Sequence, residues 1–204
     1  FKNFTKRQKN HKYSIAHFGD KFYVLTNLDA PNNRLMETSL SKTNLSHWKE
    51  IIPHRNKEQV LEMEVFSKHL VLNERINGLS VLRVFTSNFE EDYYIDFDEE
   101  TFASWISRNR EFDTNILRYV YTSMTMPYST YDYNMDKKER VLLKKQEVIG
   151  GYSDKEYQSE RIYAQSRDGK RIPISLVYKK SLRNLKTAQN LILHGYGAYG
   201  DTED

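Results

Sequence analysis

The stretch 61-LEMEVFSKHLVLNERINGLSVLRVFTSNFEEDYYIDF-97 decides the fold. Leu61 to Phe66 and His69 to Ile76 are apolar-rich runs of strand length, and the polar pair Ser67-Lys68 separates them. Asn77-Gly78 follows, the dipeptide best suited to a two-residue hairpin turn, whose central residues both need positive φ. Leu79 to Ser87 is then a third strand and Tyr93 to Phe97 a fourth. The unit is four antiparallel strands in sequence order.

The same grammar lies on both sides of this unit. Upstream, His11 to Phe18 and Lys21 to Leu28 flank the turn pair Gly19-Asp20, followed by Arg34 to Leu40 and His47 to Ile52. Downstream come Phe102 to Ser107, Ile116 to Met124, Ser129 to Met135 and Arg140 to Glu147. A four-stranded unit returning at a period of about 45–50 residues is the pattern of β-propeller blades. Three blades do not close a ring, which takes about 4–8. Further blades are therefore expected before Phe1, and a chain opening on Phe rather than Met fits a cut at that end.

Near residue 150 the pattern changes. Gly150-Gly151 breaks the strand rhythm, and Ser153 to Glu156 resembles a short capped helical turn. A longer hairpin is predicted from Glu160 to Ser166 and Lys170 to Tyr178 around Asp168-Gly169, and a polar linker from Lys179 to Gln189 leads to a strand from Asn190 to Leu193. That last strand is apolar without alternation, as expected where both faces of a sheet are covered. The predicted division is residues 1–150 as propeller blades and residues 151–204 as the start of a second domain.

Composition agrees with a β protein. Aromatic residues make up 13% of the 204, chiefly 15 Tyr and 10 Phe, which suit pleated, half-buried strands. The 31 basic and 28 acidic residues nearly balance. The short runs Lys137-Lys138, Lys144-Lys145 and Lys179-Lys180 have acids close by and read as solvated strand edges or loops, so no nucleic-acid partner is expected. No apolar run approaches the roughly 18 residues of a membrane span, and no signal peptide opens the chain. The absence of cysteine excludes disulfides and Cys-ligated zinc; it fits a cytoplasmic setting and equally suits a periplasm. The six histidines are scattered, so no metal site is expected, nor any cofactor. Nothing in the pattern fixes an oligomeric state.

The chemistry-bearing candidate lies at the end, in 191-LILHGYGAYGDTED-204. Glycines on both sides of Tyr196 let the backbone turn sharply and approach a ligand. Tyr196 stands at the carboxyl end of the predicted strand, where open α/β sheets place their ligands, and its hydroxyl could donate to a developing oxyanion. A tight turn with a packed aromatic explains the same residues.

Several stretches together resemble the prolyl oligopeptidase family of serine peptidases, and within it the oligopeptidase B (protease II) branch. They are "HKYSIAHFGDKFYVLTN" (11–27), "LEMEVFSKHLVLNERINGLS" (61–80), "YTSMTMPYSTYDYNM" (121–135), "YQSERIYAQSRDGKRIPISLVYKK" (157–180) and "LILHGYGAYG" (191–200). The Thr-Ser-x-x-x-Pro stretch of that branch is present from Thr122 to Pro127. Its Ser-x-Asp-Gly-x-x-Ile/Val-Pro hairpin is present from Ser166 to Pro173, and its Gly-Tyr-Gly-x-Tyr-Gly turn from Gly195 to Gly200. The resemblance implies a mainly β chain: three four-stranded blades of a seven-bladed β-propeller, followed by the first strands of an α/β-hydrolase peptidase domain. It implies cleavage of short peptides after Arg or Lys by a Ser-Asp-His triad. Tyr196 would supply half of the oxyanion hole, and Asp204 would line the cleft for basic substrate side chains. His194, where the family has an aromatic or aliphatic residue, is expected to be a packing residue.

No Gly-x-Ser-x-Gly elbow occurs in the 204 residues. Ser80 follows Gly78-Leu79 but lacks the second glycine. The triad is expected downstream, and the chain by itself is expected to be inactive. Two other functions fit less of the sequence. A proline-specific oligopeptidase would usually carry Gly-Phe after Gly-Tyr-Gly. A non-catalytic β-repeat interaction module would leave Tyr196 and the change near residue 150 without purpose.

Overall fold

The computed structural model describes residues 2–198, and the fold is three four-stranded antiparallel sheets followed by a two-stranded one. The first sheet holds β1 (Tyr13–Phe18), β2 (Lys21–Thr26), β3 (Arg34–Ser39) and β4 (Lys49–Ile52). The second holds β5 (Glu58–Val65), β6 (His69–Ile76), β7 (Leu79–Thr86) and β8 (Asp92–Tyr94), and the third β9 (Phe102–Ile106), β10 (Ile116–Ser123), β11 (Ser129–Asn134) and β12 (Glu139–Lys145). Within each sheet the strands lie in chain order, the blade meander expected from the repeat. The hairpin is β13 (Tyr157–Gln165) paired with β14 (Arg171–Lys179).

Turn chemistry fixes the register. Asn77 and Gly78 both have positive φ, +52° and +80°, as a type I′ turn requires, and pair Ile76 with Leu79. Gly19, at φ +58°, does the same for Phe18 and Lys21. A one-residue slip at either turn would move every strand residue to the opposite face.

That face decides which blade a side chain meets. In β6, Leu70 and Leu72 enter the cluster shared with the first blade, whereas Val71 enters the cluster shared with the third. In β7, Phe85 joins the first cluster and Leu82 and Val84 join the second. The middle blade is covered on both sides, so its strands are apolar on both faces. Between the second and third blades, Tyr119, Tyr121, Tyr133, Phe66 and Met135 pack with these aliphatics. Each buried Val, Leu, Phe or Met among them contributes about 1.5–3 kcal/mol on burial.

Three differences from the sequence expectation have local causes. The fourth strand of the middle blade ends at Tyr94 rather than Phe97. Ile95 is buried, and Phe97 stacks on Tyr121 at 4.9 Å between ring centroids. These apolar side chains gain more by tucking beneath the third blade than by extending an edge strand. The helical turn is a single 3₁₀ turn at Asp154–Glu156, and the Ser153 side chain makes no capping hydrogen bond. The strand predicted from Asn190 to Leu193 is irregular chain, with Leu191, Ile192 and Leu193 exposed. Among the described residues no strand pairs with it, and an apolar run becomes a central strand only where neighbouring strands and covering layers exist.

Candidate functional site

The turn Asn77-Gly78, the β8–β9 loop, the β10–β11 loop and the hairpin gather at one end of the blades. The Thr-Ser-x-x-x-Pro stretch supplies the β10–β11 loop. The Thr122 hydroxyl donates to the Met126 carbonyl at 2.9 Å, and the Ser123 hydroxyl accepts from the Thr125 N–H at 3.0 Å. These side-chain bonds stand in for a ladder where the chain reverses.

Glu99, in the β8–β9 loop, accepts from the Tyr121 hydroxyl at 3.0 Å and also from Thr125. Burial, then the nearby Glu99 carboxylate, raise the Tyr121 pKa, which keeps that hydroxyl a donor. Tyr152, from the segment joining the third blade to the hairpin, donates to the Thr125 carbonyl. Asp98, Glu99, Glu100 and Asp154 line a cavity of about 360 Å³ with Lys155, leaving an excess of negative charge. The sequence signal for this feature is the acid run Asp96 to Glu100, which reads as the end of a strand until β8 is seen to stop early.

The hairpin seals one side of this end. Its loop combines Asp168 with Gly169 at φ +80°, and Ser166 closes it by donating its N–H to the Lys170 carbonyl at 2.9 Å. Arg161 on β13 reaches back to the middle blade: Nη2 donates to the Asn77 carbonyl at 2.9 Å. Its backbone N–H donates to Glu100 at 3.2 Å. Glu160 accepts from Tyr178 and Arg183, and these bonds hold its carboxyl below the usual range.

Of the sequence-predicted site residues, Tyr196 is 51% exposed and lies in irregular chain after the hairpin. A Cβ at Gly195 or Gly197 would meet nothing within 4 Å, so the approach those glycines permit is not used by any described residue. His194, expected to pack, is exposed, because no layer of the described chain covers its segment. Asp204 lies outside the described residues. Ser80 is buried with its hydroxyl on the Ser104 carbonyl at 2.6 Å, a structural position unsuited to a nucleophile. Among the described residues no group of three or more His, Asp or Glu is disposed to hold a metal ion. No helix among them is long and apolar enough to cross a membrane. The arrangement can attract cations and hold one side of a hairpin against the blades, and among the described residues no serine stands in a Gly-x-Ser-x-Gly elbow.

Three four-stranded blades in chain order, followed by a hairpin, define part of a β-propeller. The family model "Prolyl oligopeptidase, N-terminal beta-propeller domain" matches residues 1–146, and the chain belongs to the prolyl oligopeptidase family. It is 36% identical over 200 residues to dipeptidyl aminopeptidase BI of Pseudoxanthomonas mexicana, covering 97% of this chain and 27% of that protein. It is 28% identical over 192 residues to Protease 2 of Moraxella lacunata, covering 94% of this chain and 27% of the relative. Among solved structures, oligopeptidase B from Trypanosoma brucei with covalently bound antipain superposes with a TM-score of 0.83 at 33% identity, over 95% of this chain and 28% of that one. The chain thus spans about a quarter of the length of the curated relatives it matches.

Proposed function

We propose that this chain is the propeller-to-peptidase junction of a serine peptidase that hydrolyses short peptides after Arg or Lys. The observation that carries the proposal is the likeness to oligopeptidase B over 95% of the chain, at a TM-score of 0.83 and 33% identity. On this reading residues 151–204 open an α/β-hydrolase domain whose Ser-Asp-His triad follows this chain. Tyr196 donates its hydroxyl to the oxyanion, and Asp204 lines the substrate cleft. A propeller set over the active site admits short peptides and excludes folded proteins. The carboxylates at the hairpin end of the blades support basic substrates, since a cleft of one charge raises the local concentration of the opposite charge. Arg side chains gain bidentate hydrogen bonds from such carboxylates. The absence of cysteine supports a cytoplasmic setting and equally suits a periplasmic one.

A second reading is removal of N-terminal dipeptides, favoured by the 36% identity to a dipeptidyl aminopeptidase. The test uses the whole protein and reporter peptides ending in Arg, Lys or Pro, each with a free and a blocked N-terminus. Cleavage of blocked peptides after Arg or Lys supports the proposal. Cleavage only of free dipeptidyl reporters supports the second reading, and cleavage after Pro alone overturns the specificity. The 204-residue chain alone should hydrolyse none of them, because an oxyanion donor without an attacking group leaves the peptide bond intact. In the whole protein, Asp204→Asn should slow cleavage of peptides with two adjacent basic residues more than those with one. Equal rates would remove Asp204 from the cleft.

A further inference from the structure

The Asn77-Gly78 turn is built for more than joining β6 to β7. A Cβ at Gly78 would lie 2.8 Å from Arg161 Nη2 and 3.5 Å from Pro173 Cγ. At Gly19, in the β1–β2 turn of the first blade, a Cβ would meet nothing within 4 Å. Both glycines have positive φ, +80° and +58°, so turn geometry asks the same of each. Only Gly78 also leaves space for another element.

Arg161 occupies that space. Its guanidinium donates through Nη2 to the Asn77 carbonyl at 2.9 Å and through Nη1 to Ser175 Oγ at 2.8 Å. Ser175 is the residue directly opposite on β14, so the side chain is held from its own hairpin as it reaches across. The backbone N–H of the same residue donates to Glu100, at the entry to the third blade. One residue therefore binds its hairpin to two blades. The planar fork suits this task because it serves two acceptors on different elements at once, which a lysine ammonium on a flexible stem does less well. The acceptor on the turn is a backbone carbonyl, so what position 78 must supply is the absence of a side chain.

We propose that Arg161 and Gly78 form a latch that seats the hairpin on the middle blade and thereby sets the angle at which the following chain leaves the propeller. The latch rests on contacts within this chain, and its test reads backbone opening rather than hydrolysis, so it stands apart from the peptidase reading. Amide hydrogen exchange is measured on the whole protein for Arg161→Ala, Gly78→Ala, the double variant, Ser175→Ala and the control Gly19→Ala. Arg161→Ala should speed exchange across Tyr157–Gln165 and Arg171–Lys179 by about tenfold or more, with β6 unchanged. Gly78→Ala should speed hairpin exchange likewise, with added opening at its own turn, where φ +80° strains a Cβ. The double variant should open the hairpin no further than either change alone, because both remove one hairpin contact. Ser175→Ala should give a smaller change of the same kind, and Gly19→Ala should leave the hairpin alone. Unchanged hairpin exchange in Arg161→Ala would overturn the latch. So would additive effects in the double variant, or a Gly78→Ala effect confined to its own turn.

Discussion

Ser80 and Ser104 exchange hydrogen bonds across the gap between the second and third blades. The Ser80 hydroxyl donates to the Ser104 carbonyl at 2.6 Å, and the Ser104 hydroxyl donates to the Ser80 carbonyl at 2.8 Å. Asn73 joins them, its amide donating to the Ser104 carbonyl at 3.2 Å while its Oδ1 lies 2.9 Å from Ser80 Oγ. All three side chains are buried. Blades in a propeller share no ladder, so a polar lock of this kind fixes the sliding position that apolar packing leaves free. A buried network is stabilising only when its members are paired, which is the case for these hydroxyls.

Removing either hydroxyl should strand buried partners. Ser80→Ala or Ser104→Ala should each cost about 1–3 kcal/mol, read as a lower urea midpoint. The double variant should cost clearly less than the sum, because each change disrupts the same network. Full additivity would show that the two bonds act independently.

Glu74 is fully buried and accepts from Arg55 and from the Tyr94 hydroxyl, the latter at 2.9 Å. It ties the loop before β5 and the edge strand β8 to the centre of β6. Arg55→Ala should destabilise by about 3–5 kcal/mol, since it leaves a carboxylate buried without its cation. Replacing the pair together, as Arg55→Met with Glu74→Leu, should recover most of that loss. Thermal unfolding of the two variants compares them directly.

His69 gives the fold an acid sensitivity. Burial, opposed by Asp136 at 3.2 Å, lowers its pKa below the ordinary 6.5. The unfolded chain then binds the proton more readily than the folded one, so its contribution to stability is full above pH 6.5 and falls as the pH drops towards the folded value. His69→Gln should flatten this part of the stability-versus-pH curve. A wild-type curve that instead rises as the pH falls below 6.5 would reverse the assigned sign.

In the whole protein, Tyr196→Phe should lower kcat by about 10²–10³-fold and leave KM nearly unchanged, because its hydroxyl would act on charge that develops only in the transition state. An unchanged kcat would make Tyr196 a packing residue.

The repeat, its turns and the hairpin were legible because they depend on near neighbours. Asn77-Gly78 and Asp168-Gly169 permit positive φ where it is needed, and apolar, aromatic-rich runs of strand length read as strands whatever lies against them. The limits appear where a segment's state depends on distant partners. Residues 190–193 have the composition of a central strand, yet composition supplies neither a paired neighbour nor a cover. Ile95 to Phe97 read as strand and became an anchor, because the third blade offered Tyr121 and Phe102 as a better surface.

The candidate site divides the same way. The sequence by itself determined the blade meander, its hairpin turns and the resemblance that marks Tyr196 and Asp204, all of which lie in local pattern. Only the tertiary structure decided that Arg161 meets the turn at Asn77, 84 positions away, and that a Cβ at Gly78 would crowd its guanidinium. It alone separated Leu70 and Leu72 from Val71 by the blade each one faces. The physical reason is that backbone turns are set by neighbouring residues, whereas the partner of a side chain is set by which elements the folded chain brings beside it.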